Sequence, residues 1–273
     1  MRGPSLAFLM LCGLSACDQT DDTKQPAVTA IPAAVTFDGA DADNQSSKRA
    51  HGERLSWVLG CHGCHGKSLE GQRFYESYAS NLTRDLRHYS DADIVRVLKT
   101  GERPSGKPMW GMPSELFQHL SDPDMAALIA ELRSLKRAGE PTQPMLPFEA
   151  ETKELIAKGE FKPASDFVKE LKNVRPVDLG PKHALGRYIT LVACAECHGP
   201  ELKGRPNDTP DLIVVGGYSR DEFDKLITTG VPPGNRKLKE LMQDVARNRY
   251  SRLTPHERDA LYAYLKARAE LPQ

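Results

Sequence analysis

Cys61-His62-Gly63-Cys64-His65 and Cys194-Ala195-Glu196-Cys197-His198 are two copies of one pattern, C-x-x-C-H, offset by 133 residues. Their flanks repeat with them. Residues 64–71 (CHGKSLEG) align with 197–204 (CHGPELKG), and 120–135 align with 253–268, both at the same offset. Between these, Tyr89-Ser90 and Thr100-Gly101 align with Tyr218-Ser219 and Thr229-Gly230 at an offset of 129. An offset that changes and then recovers places the length differences in loops, so the chain reads as two copies of one unit.

Each copy reads as helical. Residues 49–60 and 184–193 precede the two motifs, with Leu55 and Leu59 at helical spacing. A middle helix opens at Ser90 or Ser219, each a capping residue, and stops at Gly101 or Gly230. A last helix opens at Ser121 or Thr254, with Pro123 or Pro255 in the first turn, where proline is tolerated. Strand signals are nearly absent, and the run Ile213-Val214-Val215 is the one β-like stretch. The fold class expected is all-α, in two tandem units at 48–138 and 181–273. The segment 139–180 between them, with Pro141, Pro144 and Pro147, reads as a surface linker with one short helix near 164–172.

The chain has 273 residues, which suits two domains, and 37 Lys+Arg balance 37 Asp+Glu, so no basic excess points to nucleic acid. Aromatic content is only 7%, thin for two cores. Of six cysteines, Cys61, Cys64, Cys194 and Cys197 belong to the motifs. C-x-x-C-H is the attachment signature of c-type haem. Two thiols three residues apart bond the two vinyl groups of one porphyrin, and the next residue offers its imidazole to the iron. The competing readings are a four-thiolate zinc site, which leaves both histidines unused, and a thioredoxin-like pair, which needs a βαβ context. Two haem c groups are therefore expected, each supplying part of a core that the side chains fill sparsely.

The ligand opposite each histidine decides between electron transfer and catalysis. After Cys197 the one methionine is Met242, 45 residues past it, in the stretch between the middle and last helices, which reads as a loop. The equivalent stretch of the first copy holds Met109 and Met112; Met112 is 48 residues past Cys64 and is followed by Pro113, and is preferred. Met125 falls on an apolar helix face and Met145 lies among prolines. A bis-histidine alternative would use His88, His119 or His256, each at a polar helix end; His51 and His183 read as surface residues, and His62 points away from the iron. Trp110 and Tyr250 flank the ligand segments as packing residues.

The motif pairs, the segments ending Met112-Pro113 and Leu241-Met242, and the last helices ALIAELRSL and ALYAYLKAR resemble those of bacterial diheme cytochromes c, and each half is similar to a class I cytochrome c domain. The resemblance covers about 48–270. It implies a few helices around each haem, His/Met ligation and one-electron transfer with redox partner proteins. Carried over by position, it gives Cys61, Cys64, His65 and Met112 for one haem, and Cys194, Cys197, His198 and Met242 for the other. The alternative is a diheme enzyme with one haem open or differently ligated.

The N-terminus reads as an export signal. Residues 6–14 (LAFLMLCGL) are apolar but too short to span a bilayer, and Leu14-Ser15-Ala16-Cys17 resembles a bacterial lipobox. That makes 1–16 a lipoprotein signal peptide, Cys17 the acylated residue, and 17–47, rich in Asp, Ala, Thr and Pro, a flexible tether. Several acyl chains on Cys17 would hold the protein stably to a membrane. Asp18 favours the inner membrane by analogy with sorting in Gram-negative bacteria, leaving the body in the periplasm. In a cytochrome-maturing host, wild type is expected in the membrane fraction and Cys17→Ala in the soluble one, or as uncleaved precursor. Equal partition of wild type and fully processed Cys17→Ala on sucrose-gradient fractionation would count against the anchor.

Overall fold

The computed structural model describes residues 31–32, 35–74, 77–234 and 236–272. The signal peptide, Cys17 and most of the expected tether lie outside these residues. The described part is mostly helical. Its elements are α1 (Gln45–Val58), α2 (Cys61–His65), a hairpin of β1 (Gln72–Phe74) and β2 (Ser77–Ala79), α3 (Leu82–Asp85), α4 (Asp91–Thr100), α5 (Ser114–Phe117) and α6 (Asp122–Ser134). Then come α7 (Ala150–Ala157), α8 (Ala164–Glu170), α9 (Ala184–Ile189), α10 (Ala195–His198), α11 (Arg220–Thr229), α12 (Glu240–Asn248) and α13 (Pro255–Ala269).

The helix boundaries follow local chemistry. Ser90 and Ser219 cap α4 and α11 with reciprocal bonds to Asp93 and Glu222, and Gly101 and Gly230 end these helices in the left-handed conformation. Ser121 caps α6 and Thr254 caps α13, each with proline in the first turn. The two long pairs, α1 on α6 and α9 on α13, pack most closely where a glycine meets a backbone carbonyl. A Cβ on Gly52 would sit 1.9 Å from the Ala127 carbonyl oxygen, and one on Gly186 would sit 2.2 Å from that of Ala260. Around these crossings the core contains Leu55, Leu128 and Ile189, with Tyr264 fully enclosed.

The two halves grip each other reciprocally. Asp124, in the first turn of α6, is fully buried and accepts four hydrogen bonds: from the Phe37 amide (3.1 Å), His51 Nε2 (2.9 Å), Ser121 Oγ (2.8 Å) and the Tyr188 hydroxyl of α9 (2.8 Å). Glu257, at the matching position of α13, is also buried and takes a forked pair from Arg54 of α1 at 2.7 and 2.9 Å. Each last helix thus receives a side chain from the first helix of the other half. Removing one donor from such a carboxylate costs about 1–3 kcal/mol.

Several expectations need correcting. The tether does not run free to residue 47: Phe37 is buried against Tyr188, the Asp38 amide donates to Glu257, and α1 already begins at Gln45. His51 is buried by its bond to Asp124, and His183 is buried too, so neither is a surface residue. The run 213–215 lies in a 3-10 helix over Leu212–Gly217, because the Asp211 carboxylate caps the Ile213 amide and Lys266 of α13 holds the Gly216 carbonyl. Strand structure occurs instead at β1 and β2, paired antiparallel with Arg73 opposite Tyr78. The helix before the second motif changes at Thr190–Cys194 into a π-helical turn. The segment 139–180 carries α7 as well as the expected α8. It also packs inward: Ala164 is buried, its amide donates to the Met109 carbonyl, and Phe148 and Phe161 enclose Trp110. Among the described residues, no helix is long and apolar enough to cross a membrane.

Gly52→Ala and Gly186→Ala are each expected to lower stability by about 1–3 kcal/mol, the cost of overpacking a tight core. Thermal melts would record this, and an unchanged melting temperature for both would contradict the close helix crossings.

Candidate functional site

Each C-x-x-C-H segment forms one short helix and is followed by the same loop. After α2, Gly66 and Leu69 take positive φ, the Leu69 amide returns to the Gly66 carbonyl, and the Gly71 amide bonds the His65 carbonyl at 2.8 Å. After α10, Gly199 and Leu202 take positive φ, the Leu202 amide returns to the Gly199 carbonyl, and the Gly204 amide bonds the His198 carbonyl at 2.8 Å. Leu69 and Leu202 both reach the core, and their carbonyls accept from the Leu82 and Leu212 amides. A left-handed leucine is uncommon and has to be held by its surroundings. Burying that side chain at the same place in both loops supplies the hold.

The loops position the histidines. His65 Nδ1 donates to the Ser80 carbonyl at 2.8 Å, and His198 Nδ1 donates to the Pro210 carbonyl at 2.9 Å. A carbonyl oxygen only accepts, so in both rings the proton sits on Nδ1 and the lone pair on Nε2. Neither Nε2 has a hydrogen-bond partner among the described residues. Burial pushes both imidazoles below the ordinary histidine range, opposed by these carbonyl bonds, which favours the neutral, ligating form. A second bond that orients the ring is how metal-ligating histidines are generally fixed.

The cysteines point to the same chemistry. All four are free thiols. Burial pushes Cys61 and Cys194 up to about 11 and Cys64 up to about 12, and it raises Cys197 as well. A redox-active C-x-x-C pair needs the opposite shift. Among the described residues, no group of three or more His, Cys, Asp or Glu side chains is placed to hold a metal ion, so the motifs do not merge into a zinc site. A thiol pair beside an imidazole with a free, oriented Nε2 fits haem c.

The sixth-ligand candidates are placed as follows. Met242 lies in the first turn of α12, a helix where a loop was expected. Met242, Val245 and the fully buried Ala246 form its inward face, with Leu238 packed just ahead of the helix, while Leu241 is 61% exposed, so Leu241 is no core neighbour of Met242. In the first half Met109 is buried and Met112 half-buried against the core; Pro113 follows and leads into α5, which Ser114 Oγ pins to the Val97 carbonyl of α4. Met125 is core and Met145 is exposed. Among the other histidines, His62 stacks on Trp57 at 3.7 Å, its Nδ1 held by the Lys67 carbonyl. His256 is exposed and bonded to Asp38, and His88 is exposed. His119 is not a solvated helix-end residue. It borders a cavity of about 240 Å³ with Arg175 and Tyr188, and burial pushes it down to about 4.

Residues 184–269 match the cytochrome c family. A diheme cytochrome c-type protein of Cereibacter sphaeroides is 26% identical to this chain over 265 residues, covering 81% of the chain and 86% of the relative. These similarities support haem c as the cofactor. The groups that orient His65 and His198 escaped sequence reading because they are backbone carbonyls, to which the Ser80 and Pro210 side chains give no clue.

Met242→Ala is expected to turn one haem of the purified protein high-spin, and Met112→Ala the other, while Met109→Ala leaves both low-spin. Electron paramagnetic resonance of the oxidised proteins reads this directly. A high-spin signal from Met109→Ala and none from Met112→Ala would transfer the ligand role to Met109.

Proposed function

We propose that the chain is a periplasmic diheme c-type cytochrome, anchored to the membrane through Cys17, that carries single electrons between a donor protein and an acceptor. In this reading it comprises two tandem cytochrome c domains, at 48–138 and 181–273. The observation that carries the reading is the paired geometry of His65 and His198, each with Nδ1 fixed on a carbonyl and Nε2 left free. The family match to 184–269 and the printed name of the Cereibacter relative support it further. Cys61 and Cys64 would hold one haem with His65, Cys194 and Cys197 the other with His198, and Met112 and Met242 would be the second protein ligands.

Haem c bound with imidazole and thioether ligands would supply a one-electron Fe(III)/Fe(II) couple. The protein residues do the rest. The carbonyls of Ser80 and Pro210 keep each ring in one tautomer and orientation. Leu69 and Leu202 anchor the loop after each motif in the core. The docked arm at Phe37 and the Asp124 and Glu257 contacts hold the two halves in one arrangement, so that an electron entering one site has a fixed route to the other.

The test is spectroscopic. The reduced protein is expected to bind no carbon monoxide, to show low-spin spectra at both haems, and to pass electrons rapidly to an oxidised mitochondrial-type cytochrome c used as a probe. Carbon monoxide binding by the wild type, together with peroxide turnover, would replace this reading with that of a diheme enzyme.

A further inference from the structure

Arg249 stands at the C-terminal end of α12, the helix that carries Met242, and its guanidinium touches both haem-attachment segments. Nε donates to the Val58 carbonyl at 3.0 Å, at the end of the helix leading into Cys61. Nη1 meets Glu196, the residue before Cys197, at 2.9 Å, and Nη2 reaches the Ala193 carbonyl, just before Cys194, at 3.3 Å. Gly60, the residue before Cys61, has a φ of 85°, and a Cβ there would lie 2.8 Å from the guanidinium carbon. The glycine therefore lets an arginine from the second half lie against the backbone at the first motif. The neighbouring aromatic contacts hold it there. The Tyr250 hydroxyl donates to the same Ala193 carbonyl, and Arg252, one turn on, lies 4.3 Å from the ring centre of Trp57. The Arg249 side chain is 13% exposed and that of Glu196 31%.

We infer that the Arg249–Glu196 ion pair is a shared electrostatic and positioning element of the two haem sites, joining them through the polypeptide and setting both reduction potentials together. The inference rests on the proposed diheme function. A buried cation beside a redox centre favours the less positive, reduced state, and a carboxylate favours the oxidised one. Both charges lie beside the motifs, and Arg249 is largely shielded from solvent, which strengthens its field there. The two charges nearly cancel while both are present, so removing either one unmasks the other at both sites.

The experiment is a spectroelectrochemical titration of full-length holoprotein carrying Arg249→Leu, Arg249→Lys or Glu196→Gln, after a haem count on each. Arg249→Leu is expected to lower both midpoint potentials and Glu196→Gln to raise both. Each shift is expected to be severalfold in the reduction equilibrium, up to about tenfold, which for one electron is about 59 mV. Arg249→Lys, which keeps the charge, is expected to stay near wild type in potential. A shift confined to the second haem, shifts of the same sign in Arg249→Leu and Glu196→Gln, or no shift in either would overturn the inference. If Arg249→Leu fails to mature, Glu196→Gln decides the matter alone. Fewer than two haems in the wild type would instead contradict the diheme reading on which the inference stands.

Discussion

A hydrogen bond from Nδ1 of a histidine to a backbone carbonyl, made once at Ser80 and once at Pro210, is the constraint on which the remaining geometry depends. It puts the proton on one nitrogen and leaves the other free, the form in which an imidazole can ligate a metal. For the carbonyl to lie where it does, the chain must turn back sharply after each motif. Gly66 and Gly199, the left-handed Leu69 and Leu202, and the amides of Gly71 and Gly204 accomplish that turn. A Cβ on Gly204 would lie 2.2 Å from the Thr209 carbonyl oxygen, so the return is closed tightly against its own strand of chain. The apolar ends of the two leucines then tie the loop to the helical core.

The two halves are built alike and joined reciprocally. In each, a glycine on the first helix, Gly52 or Gly186, allows the last helix to approach to backbone contact. In each, an acidic residue in the first turn of the last helix, Asp124 or Glu257, is buried and satisfied by a side chain from the other half. A carboxylate is costly to bury unless its oxygens are paired, and these two are paired across the junction. Separating the halves would take Arg54 from Glu257 and Tyr188 from Asp124, which would keep only His51, Ser121 and the Phe37 amide, so the junction is a specific one.

Much of this was legible in the residues themselves. The helices over Asp91–Thr100, Arg220–Thr229 and Pro255–Ala269 were marked by their capping serines and threonine, by the glycines that end the first two and by the first-turn Pro255 of the third, all of which act within a few residues. The motifs identified which cysteines and histidines to watch. What the sequence did not disclose depends on distant partners. Nothing near Asp124 announces Tyr188, and nothing near Gly60 announces Arg249. The run Ile213-Val214-Val215 has strand-like residues, yet it is wound into a 3-10 helix by Asp211 and Lys266, one adjacent and one far along the chain. The arm at Phe37 has the composition of a tether and is nonetheless held by a single buried ring and the Asp38 contacts. The helix around Met242 was missed because charged and polar residues surround its short inward face of Met242, Val245 and Ala246.

The measurement that reaches the centre of the account is the intact mass of the mature chain, purified from a host that attaches haem c and read alongside a pyridine haemochrome assay. The account predicts an increment of two haems per chain that survives denaturation, with both C-x-x-C-H peptides carrying the added mass after digestion. One haem, or none, or haem lost on denaturation, would contradict it.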